Sequence, residues 1–114
     1  MHAVFVEMPA FSRHRAAYLD SDGFCALQQF LLRAPEAGDV IMGTGGLRKL
    51  RFSDDRRQGG KRGGLRVIYF HWLAGSQFWL FTLYGKGVQD DLDAMQKRLL
   101  KRMLAAELLA RTTR

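Results

Sequence analysis

Residues 65–84 constrain this chain most. They read as two consecutive strands, Leu65–Leu73 (LRVIYFHWL) and Gln77–Tyr84 (QFWLFTLY), separated only by Ala-Gly-Ser. Both runs are rich in aromatic and branched side chains, which favour a pleated surface. A three-residue gap containing glycine joins such runs as an antiparallel hairpin. The aromatic residues Phe52, Tyr69, Phe70, Trp72, Phe78, Trp79, Phe81 and Tyr84 crowd the strands. Most of them must lie in a core, with one or two left to stack on a ligand.

The other elements arrange themselves around that hairpin. Ala3–Val6 reads as a short strand and residues 9–18 as a helix, with Pro9 in its first turn, where a missing N–H is harmless. A second helix starts at a cap on Ser21 or Asp22. It carries Phe24, Leu27, Leu31 and Ala34 at helical spacing and stops at Pro35. Cys25, the sole cysteine, falls within this apolar pattern and reads as a small core residue. Residues 36–46 (EAGDVIMGTGG) read as a glycine-rich connector, anchored by Val40 and Ile41. In Leu47–Phe52, Leu47, Lys49 and Arg51 take one strand face, and Arg48, Leu50 and Phe52 the other. Leu50 and Phe52 should enter the core. Residues 53–64 form a polar loop, and Gly85-Lys86-Gly87 ends the last strand. A long helix follows, with Asp90, Asp91 and Asp93 at its positive end. Its apolar stripe would be Leu92, Met95, Leu99, Met103 and Ala106, and Lys97, Arg98, Lys101 and Arg102 would form a solvated basic face. The expectation is a single α+β domain over residues 1–114. It has a small, mainly antiparallel sheet, an N-terminal helical hairpin and a C-terminal helix, in the order βααβββα.

Charge narrows the function. Between Arg48 and Arg66 lie eight Lys and Arg against two Asp, so this stretch carries +6 of a net +7. The remaining 95 residues are nearly neutral. A concentrated positive field on a folded surface suits a polyanion. The pI near 10.2 favours nucleic acid. An anionic membrane fits less well, because the cations do not back an apolar helical face. The N-terminus resembles neither a signal peptide nor a membrane span, and one cysteine suits a reducing compartment, so the cytoplasm is expected.

No metal or cofactor is expected. His2, His14 and His71 have no neighbours at metal-ligand spacing. His71 in IYFHWL reads as partly buried structure. GTGG at 43–46 reads as turn geometry rather than a phosphate loop, since the surrounding elements come in the wrong order. Neither a Ser elbow nor an activating partner for Cys25 is present. Lysine and arginine remain, and they can act on RNA. Cleavage by the 2′-hydroxyl needs a proton removed, a crowded phosphate stabilised and a leaving oxygen protonated. A lysine flanked by cations and partly buried can serve as base. Arginines can hold the phosphorane by paired hydrogen bonds. Lys49 and Arg51 share a strand face. Arg66 opens the next strand, and Lys86 closes the third. Plain phosphate contact by the same residues is the simpler alternative.

At this point three blocks, in order, meet a known pattern: APEAGDVIMGTGGLRKLRF, GGKRGGLRVIYFHW, and FWLFTLYGKG followed by DDL and a basic helix. Nearly the whole chain resembles the RelE/HigB superfamily of type II toxin–antitoxin toxins, closest to its HigB-like branch. The resemblance implies a RelE-like fold that enters the ribosomal A site and cuts mRNA without metal. It also implies a cognate antitoxin with a helix-turn-helix domain, through which the pair would contact operator DNA. The family's basic pair falls on Lys49 and Arg51, its phosphate-binding arginine on Arg66 after Gly64-Leu65, and its basic residue after the final strand on Lys86. Where RelE-like members place an arginine next, this chain has Gly87. Residues 88–95 lack the tyrosine that stacks on the substrate nucleotide, a role for which Tyr84 is the substitute.

The leading expectation is therefore a ribosome-dependent mRNA endonuclease. Lys49 would be base or proton shuttle, Arg51 and Arg66 would hold the phosphate, and Lys86 would support them. Arg48, Arg56, Arg57, Lys61 and Arg62 would dock on the RNA backbone. The alternatives are a non-catalytic ribosome or RNA binder that blocks translation, and an inactive partner in an antitoxin repressor complex.

Overall fold

The structure, a computed structural model, describes residues 3–53, 64–72, 74, 76–85, 87 and 91–112. Its elements are β1 (Val4–Glu7), α1 (Pro9–Tyr18), α2 (Ser21–Arg33), β2 (Asp39–Val40), β3 (Arg48–Phe52), β4 (Leu65–Trp72), β5 (Gln77–Gly85) and α3 (Ala94–Thr112). The five strands form one sheet in the order β1-β5-β4-β3-β2. Only the β1–β5 pair is parallel. The α+β class, the mainly antiparallel sheet, the paired N-terminal helices and the C-terminal helix all match expectation. The order does not. It is βααββββα, because Asp39–Val40, inside the expected connector, pairs with Lys49 and Arg48. Two residues are too short to show a strand period, so no sequence pattern marks this edge.

Helices cover both faces of the sheet. On one face Leu50, Phe52, Leu65, Val67, Tyr69, Phe78, Leu80 and Leu83 pack with Phe11, Leu19, Leu27 and Leu31 from α1, α2 and the turn between them. On the other, Leu47, Ile68, Trp79, Phe81 and Tyr84 pack with Leu92 and with Leu100 and Leu104 of α3. Burying each large apolar side chain contributes roughly 1.5–3 kcal/mol, so both clusters matter to stability.

The pairing of β4 with β5 slips between Ile68 and Tyr69. Tyr69 faces Leu80 and Ile68 faces Thr82, leaving Phe81 as the extra residue of a bulge. A bulge resets which way later side chains point. Before it, the even residues Phe78 and Leu80 face α1 and α2. After it, the odd residue Leu83 does, and Tyr84 turns to the α3 side.

Local contacts amend several expectations. The cap of α2 is Asp20, whose carboxylate accepts from the Gly23 N–H at 2.7 Å, rather than Ser21 or Asp22. Cys25 is exposed, not a core residue. It lies two positions, about 200° of helix, from the buried Leu27, whereas Phe24, Leu27 and Leu31 hold the inward face. α3 begins after the expected acidic turn. Asp93 accepts from the Gln96 N–H at 2.8 Å while the Gln96 side chain accepts from the Asp93 N–H at 2.9 Å, a reciprocal capping box. The inward stripe of α3 is Leu100, Met103, Leu104 and Leu108, leaving Met95 and Leu99 exposed. The helix carries apolar residues on two sides, and only contact with the sheet decides between them. Arg111 fastens its far end: it pairs with Glu107 at 3.0 Å, donates to Gln77 and lies over the Trp79 ring.

Gly43, Gly45 and Gly46 adopt positive φ, as expected of turn glycines. The buried Thr44 hydroxyl closes the same turn, donating to the Ile41 carbonyl and accepting from the Leu47 N–H. His71 is half-buried, as expected, and stacks on Phe78. Among the described residues no helix is long and apolar enough to cross a membrane.

Tyr69 joins the helical hairpin to the sheet. Its fully buried hydroxyl donates to the Pro35 carbonyl at 2.8 Å and accepts from the Gly38 N–H at 3.1 Å. Burial pushes its pKa above the ordinary value, partly offset by the Gly38 hydrogen bond. A Cβ on Gly38 would come within 2.9 Å of the Tyr69 ring and 3.0 Å of the Lys49 carbonyl group, so the approach requires glycine. Tyr69→Phe leaves a buried N–H and a carbonyl without this partner. The expected loss of stability is about 1–3 kcal/mol, read as a lower urea midpoint at unchanged slope.

Candidate functional site

β3, β4 and β5 place three of the expected residues in one row. Arg51 is directly opposite Arg66, and Arg66 directly opposite Tyr84. Directly opposed residues share a sheet face. Lys49, two residues from Arg51, shares that face by the strand period. Phe52 and Leu65, the neighbours of Arg51 and Arg66, point to the opposite face and hold the backbone through the α1–α2 core. Apolar alternation thus forces the three cations to the α3 side.

Their surroundings differ. Arg51 is exposed, whereas Arg66 is only 6% exposed and Tyr84 only 8%. Like charges directly opposite in a sheet cost roughly 0.2–1 kcal/mol. The Arg51–Arg66 pair thus sets two guanidinium groups side by side on one sheet face, one exposed and one buried.

Lys49 keeps the two arginines on its face and gains an acidic partner as well. Its side chain is 15% exposed, and its ammonium donates to Asp91 at 3.3 Å. Asp91 lies just ahead of α3 and is 63% exposed. The same carboxylate oxygen accepts from the Leu92 N–H at 2.9 Å. That backbone hydrogen bond is the main reason the Asp91 carboxyl sits below the ordinary aspartate range. Slight burial opposes it, and Lys49, followed by Lys97, adds to it. Asp91 is the site residue that sequence reasoning missed. In the run DDLD it reads as a helix-dipole acid, and no signal links it to a lysine on a strand far upstream.

Tyr84 adds a buried hydroxyl to the row rather than a stacking surface. Its ring is packed into the cluster beneath α3, with no open face for a base. The hydroxyl has no hydrogen-bond partner among the described residues. A buried hydroxyl of this kind is one that a ligand or water can satisfy. Burial raises its pKa, the nearby Asp91 charge raises it further, and Arg66 works against both.

Arg48 is not brought to the row. By the strand period it points away from Lys49. Its guanidinium donates to the carbonyls of Gly38 at 2.8 Å and Glu36 at 3.2 Å, bracing the loop after α2. Lys86 and the loop cations Arg56, Arg57, Lys61 and Arg62 lie outside the described residues. A comparison with models of known protein families returns no match.

Two titrations check this electrostatic arrangement by NMR. Lys49→Met raises the Asp91 pKa only part of the way to the ordinary value, because the Leu92 hydrogen bond persists. Asp91→Asn lowers the Tyr84 pKa, and Arg66→Met raises it. For stability, a depressed carboxylate contributes above its unfolded pKa, and the contribution is lost as pH falls through its folded value. The Lys49–Asp91 pair therefore weakens only on the acid side of the ordinary aspartate range.

Proposed function

We propose that the chain is an RNA-cutting toxin of the RelE/HigB kind, a ribosome-dependent mRNA endonuclease of the cytoplasm held inactive by a helix-turn-helix antitoxin. The observation that carries this reading is the cross-strand Arg51–Arg66 pair, a buried cation opposite an exposed one, with Lys49 on the same face. The phosphorane-like transition state of RNA cleavage, which gathers more negative charge than a carboxylate carries, suits that pair.

In this reading Arg51 and Arg66 hold the scissile phosphate. The adjacent 2′-oxygen attacks phosphorus as its proton leaves, and the P–O5′ bond breaks as the 5′-oxygen gains one. The products are a 2′,3′-cyclic phosphate and a 5′-hydroxyl. Charge accumulates on the non-bridging oxygens, where fixed guanidinium groups act most strongly. Lys49 carries or relays a proton, the Tyr84 hydroxyl contacts the substrate, and Lys86 is a supporting cation. Arg56, Arg57, Lys61 and Arg62 dock on RNA backbone, which makes binding salt-sensitive.

A second reading, a non-catalytic RNA or ribosome binder, is favoured by the ion pairing of Lys49, since a paired ammonium is suited to static phosphate contact. Primer extension on mRNA from induced cells separates the two. Discrete new 5′ ends within codons are expected for the endonuclease, and intact mRNA with stalled translation for the binder. Lys49→Ala and Arg66→Ala should each relieve growth arrest and lower the cleavage rate by about 10²–10³-fold, with circular dichroism unchanged. Full toxicity in a folded double variant rules out this site.

A further inference from the structure

The Lys49–Asp91 contact crosses from the sheet to the segment ahead of α3, and what lies behind it is rigid. Asp91 binds the Leu92 N–H with the oxygen that receives Lys49. Leu92 is buried, and the Asp93–Gln96 capping box begins α3 immediately afterwards. Leu100 and Leu104 then anchor the helix to the sheet. A continuous set of contacts thus runs from the core to one ammonium group.

Lysine needs such a hold. Its four-carbon stem is flexible and loses rotamer freedom when the ammonium is fixed. Beside two guanidinium groups on the same face, an untethered ammonium would swing outward to solvent. Asp91 supplies the one described ion-pair partner of Lys49, and its oxygen lies within hydrogen-bond reach. Among the described residues, the cations that act on Asp91 are Lys49 on β3 and Lys97 on α3, and Lys49 is the one within hydrogen-bond reach in the ion pair.

We propose that Asp91 is a positioning residue of the candidate cleavage site, holding the Lys49 ammonium on the Arg51–Arg66 face so that it meets the RNA as a fixed cation. This inference rests on the endonuclease reading above. It also sharpens the part played by Lys49: a cation held in place by a carboxylate stabilises the phosphate oxygens as they gain charge.

The test measures cleavage of ribosome-bound mRNA by the full chain under single turnover. Asp91→Asn keeps an oxygen for the Leu92 N–H but loses the charge. It is expected to slow the maximal rate by roughly 10²-fold, the cost of a misplaced group, with little change in half-saturation. Asp91→Glu should recover part of the loss. In a Lys49→Met background, Asp91→Asn should produce no additional slowing, because its effect passes through Lys49. Asp20→Ala, which removes the cap of α2 on the opposite side of the sheet, should lower thermal stability and leave the rate unchanged. Equal or faster cleavage by Asp91→Asn overturns the inference, as does an undiminished effect in the Lys49→Met background. A folded wild-type chain that leaves ribosome-bound mRNA uncut overturns the endonuclease reading, and this inference with it.

Discussion

The bulge at Phe81 governs the rest of the structure. Strand side chains alternate with period two, so one inserted residue reverses every later assignment along β5. Without it, Tyr84 would share the face of Phe78 and Leu80 and point into the α1–α2 core. With it, Leu83 fills that core and Tyr84 comes into line with Arg66 on the α3 side. Phe78 and Trp79, ahead of the bulge, already give the sheet aromatic surface on both faces, and helices cover both. Past the bulge Tyr84 joins a polar row at one end of the α3-facing side, formed by residues whose strand neighbours are locked in the opposite core.

That polar row shows how function can sit inside a stable fold at modest cost. Leu50, Phe52, Leu65 and Val67 secure the backbone of β3 and β4. The interleaved Lys49, Arg51 and Arg66 are held on the other face by that backbone. Two opposed arginines are unfavourable, but by an amount small beside the burial of a single leucine. Asp91 partly balances the local charge from outside the sheet, while Arg48 on the other face serves the loop after α2. Neighbouring cations on one five-residue strand thus have distinct physical tasks.

Much of this could be read from the chain. The strands Leu65–Trp72 and Gln77–Gly85, both N-terminal helices and the inward aim of Leu50 and Phe52 follow from local periodicity. Other features were hidden for identifiable reasons. Asp39–Val40 is too short to show a period. Cys25 lies in an apolar segment but on the wrong side of the helix. α3 has apolar residues on two sides, so its inward stripe was misassigned. Asp91 resembles any acid near a helix start until the fold brings β3 beside it.

The sequence by itself determined the α+β class, the antiparallel hairpin and the concentration of positive charge between Arg48 and Arg66. These depend on spacing along the chain, which composition and period record. Tertiary structure alone decided that Arg51 opposes Arg66, that Tyr84 turns to the α3 side, and that Lys49 is paired with Asp91. Register, a bulge and a contact 42 positions apart produce those relations. They are set by how apolar faces close over the sheet, which no local pattern of residues encodes.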